Sequence, residues 1–307
     1  MRVFRGIESY DGIEETCLTT GTFDGVHIGH LKIISQLNKI AKEEGRRSVM
    51  LTFFPHPRKV LFPDDHGLRL LTTMDEKLAL FEKAGIDDVI IHPFSKDFSR
   101  LNAVEYVRDL LVEGINMKHM VIGYDHHFGR NREGGIDQLR DMAPLYDFNV
   151  TEISAKDVDD VNVSSTKIRT ALDDGNVDIA STYLGYLYSF EGKVVHGKKR
   201  GNQIGYPTAN IADVDDTKLI PKNGVYSVEV ELNGMLFRAM MNIGFNPTFE
   251  GSADRSIEVH IFDFDEDIYG EQIRVFVLKY LRTERRFSDV RELVKQMDID
   301  KQNALDV

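Results

Sequence analysis

Over roughly the first 180 residues, short apolar runs alternate with stretches whose apolar positions recur every three or four residues. The runs include Ser48–Phe54, Asp88–Phe94, His119–Asp125 and Phe148–Ser154, all of strand length. Between them the spacing predicts helices. Ile33, Ile34, Leu37, Ile40 and Ala41 mark one buried face. A second helix is predicted to begin at Thr73, with Glu76 three residues on, the spacing of a capping box. A third is predicted from Asn102, burying Val104, Val107, Leu110 and Leu111. Alternation of this kind predicts a parallel sheet with helices on both faces.

Past about Leu184 the pattern changes. Tyr188–His196, Val225–Leu232, Met235–Ile243, Ser256–Phe264 and Ile273–Leu281 read as strands, and Asn233-Gly234 is a two-residue hairpin signal. A final helix is predicted to carry Phe287, Val290, Leu293, Val294 and Met297 on one face. This half reads as an antiparallel barrel or sandwich closed by a helix. The boundary is expected near 184–188, with no internal repeat and no low-complexity linker.

A length of 307 residues fits two domains. The 42% hydrophobic and 29% charged content is that of a globular chain. The formal charge of -12 argues against a duplex nucleic-acid partner, which needs a basic face. Lys198-Lys199-Arg200 is too short a cluster to reverse that. The single cysteine, Cys17, excludes an intrachain disulfide and fits a reducing cytoplasm. Met1–Glu15 has no apolar stretch of signal type, and no run approaches the roughly 20 apolar residues of a membrane span. Oligomeric state is not legible.

The chemistry concentrates first at Thr20-Gly21-Thr22-Phe23-Asp24-Gly25-Val26-His27-Ile28-Gly29-His30. Two histidines flank a glycine where a strand-like run ends and a helix pattern begins. Free N–H groups and the helix dipole favour anions there. Gly21, Gly25 and Gly29 let backbone approach a bulky phosphate. The arrangement suits a nucleoside triphosphate attacked at its α-phosphate, with the histidines donating to the charge that develops. A zinc reading, with His27, His30, His126 and His127 converging, is disfavoured by the glycine-rich setting and the lack of a Cys pair or HExxH.

This segment resembles the HxGH signature of the nucleotidylyltransferase superfamily, and GTFDGVHIGH resembles the form found in bacterial bifunctional riboflavin kinase/FAD synthetases. Val163-Ser164-Ser165-Thr166-Lys167-Ile168-Arg169 resembles the SSTxIR signature of the same superfamily, a triphosphate clamp of hydroxyls, helix-start N–H groups and a cation. Thr52–Pro57 resembles the substrate-side loop, and Val121–Gly129 a strand-end motif near the nucleotide. There Asp125 and Phe128 fit, while His126 stands where the family usually has an aromatic residue. Taken singly, each motif has a plain structural reading: a helix start with a surface histidine, an N-cap, a rigid turn, a strand-end carboxylate. Together, in this order across an alternating β/α half, they point to one site.

The second half holds Gly192-Lys193-Val194-Val195-His196-Gly197-Lys198-Lys199-Arg200-Gly201, a near match to GxxxxGK[ST]. Lys199 stands where that motif needs a metal-binding hydroxyl, and no helix pattern follows, so the Walker reading is rejected. The glycines and cations, with Lys193 among them, can still hold phosphates. Pro207-Thr208-Ala209-Asn210 resembles the PTAN signature of riboflavin kinases, which implies that Thr208 and Asn210 help hold Mg²⁺ and ATP; oxygen ligands suit that hard cation. Ser256–Phe262 resembles the family's catalytic strand, which implies Glu258 as general base. Alternation puts Glu258 and His260 on one face and Ile257, Val259 and Ile261 on the other. Asn223–Tyr226, Asn242–Thr248 and Asp263–Gly270 also look like family segments framing flavin and nucleotide.

The resemblance spans about residues 15–300 and implies a Rossmann-like α/β nucleotidyltransferase domain over 1–184, then an antiparallel β-barrel riboflavin kinase domain over 185–307 with a C-terminal helix. The second would phosphorylate riboflavin to FMN. The first would join AMP from ATP to FMN, giving FAD and pyrophosphate, with His27 and His30 stabilising the transition state and Gly21, Phe23, Asp24, Gly25, Asp125, Ser165, Thr166 and Arg169 binding nucleotide. In the kinase half, Gly192, Lys193, Gly197, Gly201, Pro207, Thr208 and Asn210 would bind nucleotide and metal. Two other readings are a flavin- and nucleotide-sensing module on the same fold, and an enzyme with one live activity.

Overall fold

The computed structural model describes residues 1–64, 67–154, 163–197, 201–247 and 253–307. The chain divides into two compact units, Met1–Ser164 and Ser165–Val307.

The first unit is built on a parallel sheet of β1 (Arg2–Arg5), β2 (Thr16–Thr20), β3 (Arg47–Phe54), β4 (Asp88–Pro93), β5 (Met117–Gly123) and β6 (Asn149–Ile153), in spatial order β1-β4-β3-β2-β5-β6. Because both faces are covered, the central strands are apolar on both sides. Cys17, Met50, Val89 and Val121 pack with Ile34, Leu37 and Ile40 of α1 (Ile28–Glu44) and Phe81 of α3 (Met74–Lys83), beyond the short α2 (Pro57–Leu61). Their neighbours Leu18, Leu51, Ile90 and Met120 pack on the opposite face with Val107 and Leu111 of α4 and Leu139 and Met142 of α5 (Ile136–Tyr146). Helix α4 starts at Ala103–Glu105 and continues as a π-helical stretch, Tyr106–Gly114.

The expected capping box of Thr73 with Glu76 forms, and a second, not expected, joins Asn102 with Glu105. Val104, expected in the buried face, is exposed: the contact face begins at Ala103 and runs through Tyr106, Val107 and Leu111. The edge strand β1 is polar at both ends, which hid it from the apolar pattern. Arg2 bonds Asp88 through two nitrogens at 2.7 and 2.6 Å, and Arg47 bonds the same carboxylate at 2.7 and 2.8 Å.

The second unit opens with α6 (Ser165–Asp174) and α7 (Val177–Leu184) and closes a six-stranded antiparallel barrel from β7 (Ser189–Val195), β8 (Ala209–Ala212), β9 (Gly224–Leu232), β10 (Met235–Pro247), β11 (Ala253–Ile261) and β12 (Gln272–Arg282). The barrel form settles the choice between barrel and sandwich. Lys222 N donates to Leu172 O at 3.0 Å, and a Cβ at Gly175 would meet the Tyr280 ring at 3.3 Å, so α6 is packed on the strands. Asn233 and Gly234 both take positive φ, as a type I′ hairpin requires.

The last helix, α8, spans Val290–Leu305 with Asp289 as N-cap. Its inward face is set by Val294, Met297 and Ala304 against Tyr206, Met240 and Phe262. Val290, expected on that face, is exposed, and Phe287 lies before the cap, its ring under Arg285. The contact face of the helix therefore begins about one turn later than the apolar spacing suggested.

Candidate functional site

In the first unit, consecutive strands from β2 go to opposite sides: β3 and β4 to one, β5 and β6 to the other. The ends of β2 and β5 therefore flank the point where the winding reverses, where α/β sheets form ligand crevices. A cavity of about 940 Å³ opens there, lined by Thr19–Phe23 at and beyond the end of β2 and by Gly123 and Asp125–Gly129 at and beyond the end of β5. That volume is at the upper end of the range for small-molecule sites. Gly21, Phe23, His30 and Asp125 line it together, and so do His56 and Pro57 of the expected substrate-side loop.

His27 is the N-cap of α1. Its Nδ1 accepts from His30 N at 3.3 Å, and the two rings stack with centroids 3.6 Å apart and 15° between planes. An accepting Nδ1 leaves the proton on Nε2 in the neutral ring. Burial pushes the His27 pKa down to about 4 and that of His30 well below the ordinary value. His30 Nδ1 is shut off from solvent with no hydrogen-bond partner. Two neutral imidazoles thus stand in the first turn of α1, where the helix dipole attracts anions. His126 is held the same way, with an unpartnered Nε2, a pKa pushed to about 4 by burial, and its ring stacked on Phe128.

Asp24 and Gly25 take a different place. They do not line the cavity; the Asp24 carboxylate accepts from Leu71 N at 3.0 Å and Thr72 N at 3.2 Å, and Gly25 N donates to Thr72 Oγ1 at 3.1 Å. Beside them the buried Lys77 Nζ donates to Thr22 O at 2.7 Å. These bonds hold a loop whose Phe23 and Val26 sit at φ of 46° and 35°, left-handed values that cost non-glycine residues energy. Sequence reasoning missed Lys77, whose helical position reads as a surface charge, and missed that Phe94, Phe98 and Tyr106 join Phe53 and Phe128 of the motifs read above in an aromatic wall of the cavity. Its members come from separate elements and share no local pattern.

The histidines do not gather as a metal set. The one grouping of at least three His, Cys, Asp or Glu donors among the described residues is Cys17, Glu44 and His119. Its atoms are already bonded: His119 Nδ1 to Glu44 at 2.7 Å, Nε2 to Thr151 at 2.9 Å.

The expected kinase residues lie in the second unit. Glu258 on β11 is the direct cross-strand partner of Asn210 on β8 and of Asn242 on β10. Ile257, Val259, Ile211, Met241 and Ile243 are buried, so the three polar side chains form a half-buried row on the barrel's outer face. Gly197 and Gly201 serve close approach: a Cβ at Gly197 would fall 2.0 Å from Asn210 Nδ2, and one at Gly201 2.1 Å from Tyr206 O and 3.5 Å from Thr208 Oγ1. Gly192 has another place, inside β7, where a Cβ would meet Ile211 at 2.4 Å and Ala212 O at 2.8 Å. Lys193 beside it is exposed. Ser165, Thr166 and Arg169 start α6. Lys198, Lys199, Arg200 and Thr248 lie outside the described residues. The oxygen donors Thr208 and Asn210 fit a hard divalent cation. Two contacts were not expected: His260 Nδ1 to Pro207 O at 2.7 Å, and the His196 and Tyr269 rings at 3.8 Å.

The family model for FAD synthetase matches residues 11–167 and that for riboflavin kinase residues 184–307. A bifunctional riboflavin kinase/FMN adenylyltransferase of Bacillus subtilis is 36% identical over 95% of this chain and 92% of its own length. One of Listeria monocytogenes is 38% identical over 94% and 90%, and one of Escherichia coli K12 35% identical over 99% and 97%. A crystal structure described as a macrolide-efflux protein from Streptococcus pneumoniae is 31% identical and covers both chains completely, with a TM-score of 0.92. Among the described residues of the present chain, no helix is long and apolar enough to cross a membrane.

Proposed function

Because the chain belongs to the family of bifunctional riboflavin kinase/FMN adenylyltransferases, we propose a division of labour in which His27 and His30 serve adenylyl transfer and Glu258, Thr208 and Asn210 serve phosphorylation. The chain makes FMN from riboflavin and ATP, and FAD from FMN and ATP. Neither a sensing module nor a single live activity gains support from relatives that carry both names over nearly the whole chain.

In adenylyl transfer a phosphate oxygen of FMN bonds to the α-phosphorus of ATP while the bond to the bridging oxygen breaks and pyrophosphate leaves. The nucleophile is already ionised near neutral pH, so no protein base is needed. His27 Nε2–H and the His30 ring instead donate to the charge that grows on phosphate oxygens, and the aromatic wall offers a face for the isoalloxazine. Ser165, Thr166 and Arg169 are kept as triphosphate ligands on their motif, and Asp125 as a nucleotide contact. On this reading 1–184 is the adenylyltransferase domain and 185–307 the kinase domain.

In the kinase reaction the ribityl 5′-hydroxyl attacks the γ-phosphorus, Glu258 takes its proton, and ADP leaves. Family members of this kind work with a divalent metal; we assign Mg²⁺ to Thr208 and Asn210. When bound, the ion neutralises charge on the phosphates of ATP. Gly197 and Gly201 leave room for those phosphates beside Asn210 and Thr208. Small-molecule substrates, a single Cys17 outside any disulfide and a formal charge of -12 support a cytoplasmic chain with neither nucleic acid nor membrane as partner.

The observation that carries this reading is the register that sets Glu258 between Asn210 and Asn242. The test is a time course with riboflavin and ATP, followed by chromatography, with and without chelator. FMN rising first, then FAD, both restored after chelation by Mg²⁺ alone, supports it. Kinase turnover indifferent to chelation overturns the metal assignment.

A further inference from the structure

We propose that His260 is a positioning residue of the kinase site: its imidazole ties the strand that carries Glu258 to the turn that carries Thr208, just ahead of Asn210 on β8. The proposal rests on the roles assigned above to those three residues. Its geometry stands independently. His260 lies two residues beyond Glu258 on the same outer face of β11. Its Nδ1 is 2.7 Å from the carbonyl oxygen of Pro207, the residue before Thr208.

A carbonyl only accepts, so Nδ1 carries the proton. Burial lowers the pKa of His260, which favours the neutral ring with its proton on Nδ1. The ring is packed against Tyr206 at 5.0 Å and Phe262 at 5.7 Å, and Lys301 and Asp263 are the charges that face it. Tyr206 is in turn bonded to Asp298 of α8. Ladder bonds between β8 and β11 fix Ala209, Asn210 and Ile211 against Val259, Glu258 and Ile257. Pro207 and Thr208 lie outside that ladder, and the His260 bond extends the tie to them. Without it the Thr208 hydroxyl is free to drift from Glu258 while the barrel remains closed.

The test uses geometry at single-atom level. An asparagine amide nitrogen occupies nearly the position of Nδ1, and a glutamine amide nitrogen that of Nε2. In the full-length chain, H260N is expected to keep kinase kcat and the KM for Mg·ATP within about threefold of the parent. H260Q and H260F are expected to raise the KM for Mg·ATP and lower kcat by about tenfold or more, the equivalent of roughly one lost buried hydrogen bond. Riboflavin affinity, read by fluorescence quenching, and FAD formation from supplied FMN should be unchanged in all three. Equal kinase constants in H260F and the parent overturn the proposal, as does an H260N no better than H260Q at equal Tm. If H260F fails to fold, the Asn and Gln pair decides alone. E258Q separates the two layers: an E258Q chain with intact kinase activity removes the assigned roles, whereas loss in E258Q with normal H260F removes only the tie.

Discussion

On the roles proposed above, the two units handle phosphate in opposite ways. The first encloses it: a cavity beside a strained loop, with His27 buried, His30 half-buried and both rings held neutral by burial at the start of α1. The second displays it: a half-buried row of Asn210, Glu258 and Asn242 across the outside of a closed barrel. The difference follows the nucleophile. A phosphate arrives ionised and needs only donors, which strengthen as water is removed. A primary hydroxyl must lose a proton, and a carboxylate serves as base only if it remains solvated enough to stay charged.

The largest test of this contrast is E258Q. Loss of a general base is expected to lower FMN formation by about 10²–10⁴-fold, with FAD formation from supplied FMN unchanged; parallel loss of both activities, measured by chromatography, would break the division. Next comes H30A, expected to slow FAD formation by about 10²–10³-fold and spare the kinase; a single-turnover assay with FMN and ATP reads it. A smaller effect is expected from G197A. The added methyl meets Asn210, and the roughly 1–3 kcal/mol that overpacking costs should appear as an increase of about tenfold in the kinase KM for ATP.

The smallest concerns stability of the first unit. Burial raises the Asp88 carboxyl, but the bonds from Arg2 and Arg47 outweigh that and hold it at about 2, below the ordinary 3.8. A depressed carboxylate stabilises the fold above its unfolded value, and that share is lost as pH falls from about 4 toward 2. The shift is worth about 2 kcal/mol. Denaturant midpoints should fall over that window and flatten in D88N.

Much of this was legible from local signals. Thr73 with Glu76 and Asn233-Gly234 each announce themselves within four residues, and each forms as read; the helix read from Asn102 starts there too, with Asn102 as its cap. Continuous apolar runs betrayed a sheet covered on both faces. What stayed hidden depends on distant partners. Asp24 sits in a motif that suggests a ligand, yet its acceptors are filled by amides 47 and 48 residues away. Strand β8 carries one buried apolar residue, Ile211, within Ala209–Ala212, too few to show a period. The acceptor of His260 is a backbone carbonyl, which has no letter in a sequence. His126 departs from the aromatic expected there, and its unpartnered Nε2 on the cavity wall could be seen only in three dimensions.

Strand β1 has a consequence for handling the protein. A closed barrel has no free margin, but the parallel sheet ends at β1 and β6, where unpaired amides and carbonyls can recruit a strand from another molecule. At β1 the defence is brevity and charge: four residues, with exposed Arg2 and Arg5 at the ends. Trimming or fusing the N-terminus so that those arginines are lost would therefore first be felt as self-association and precipitation, before either reaction slowed.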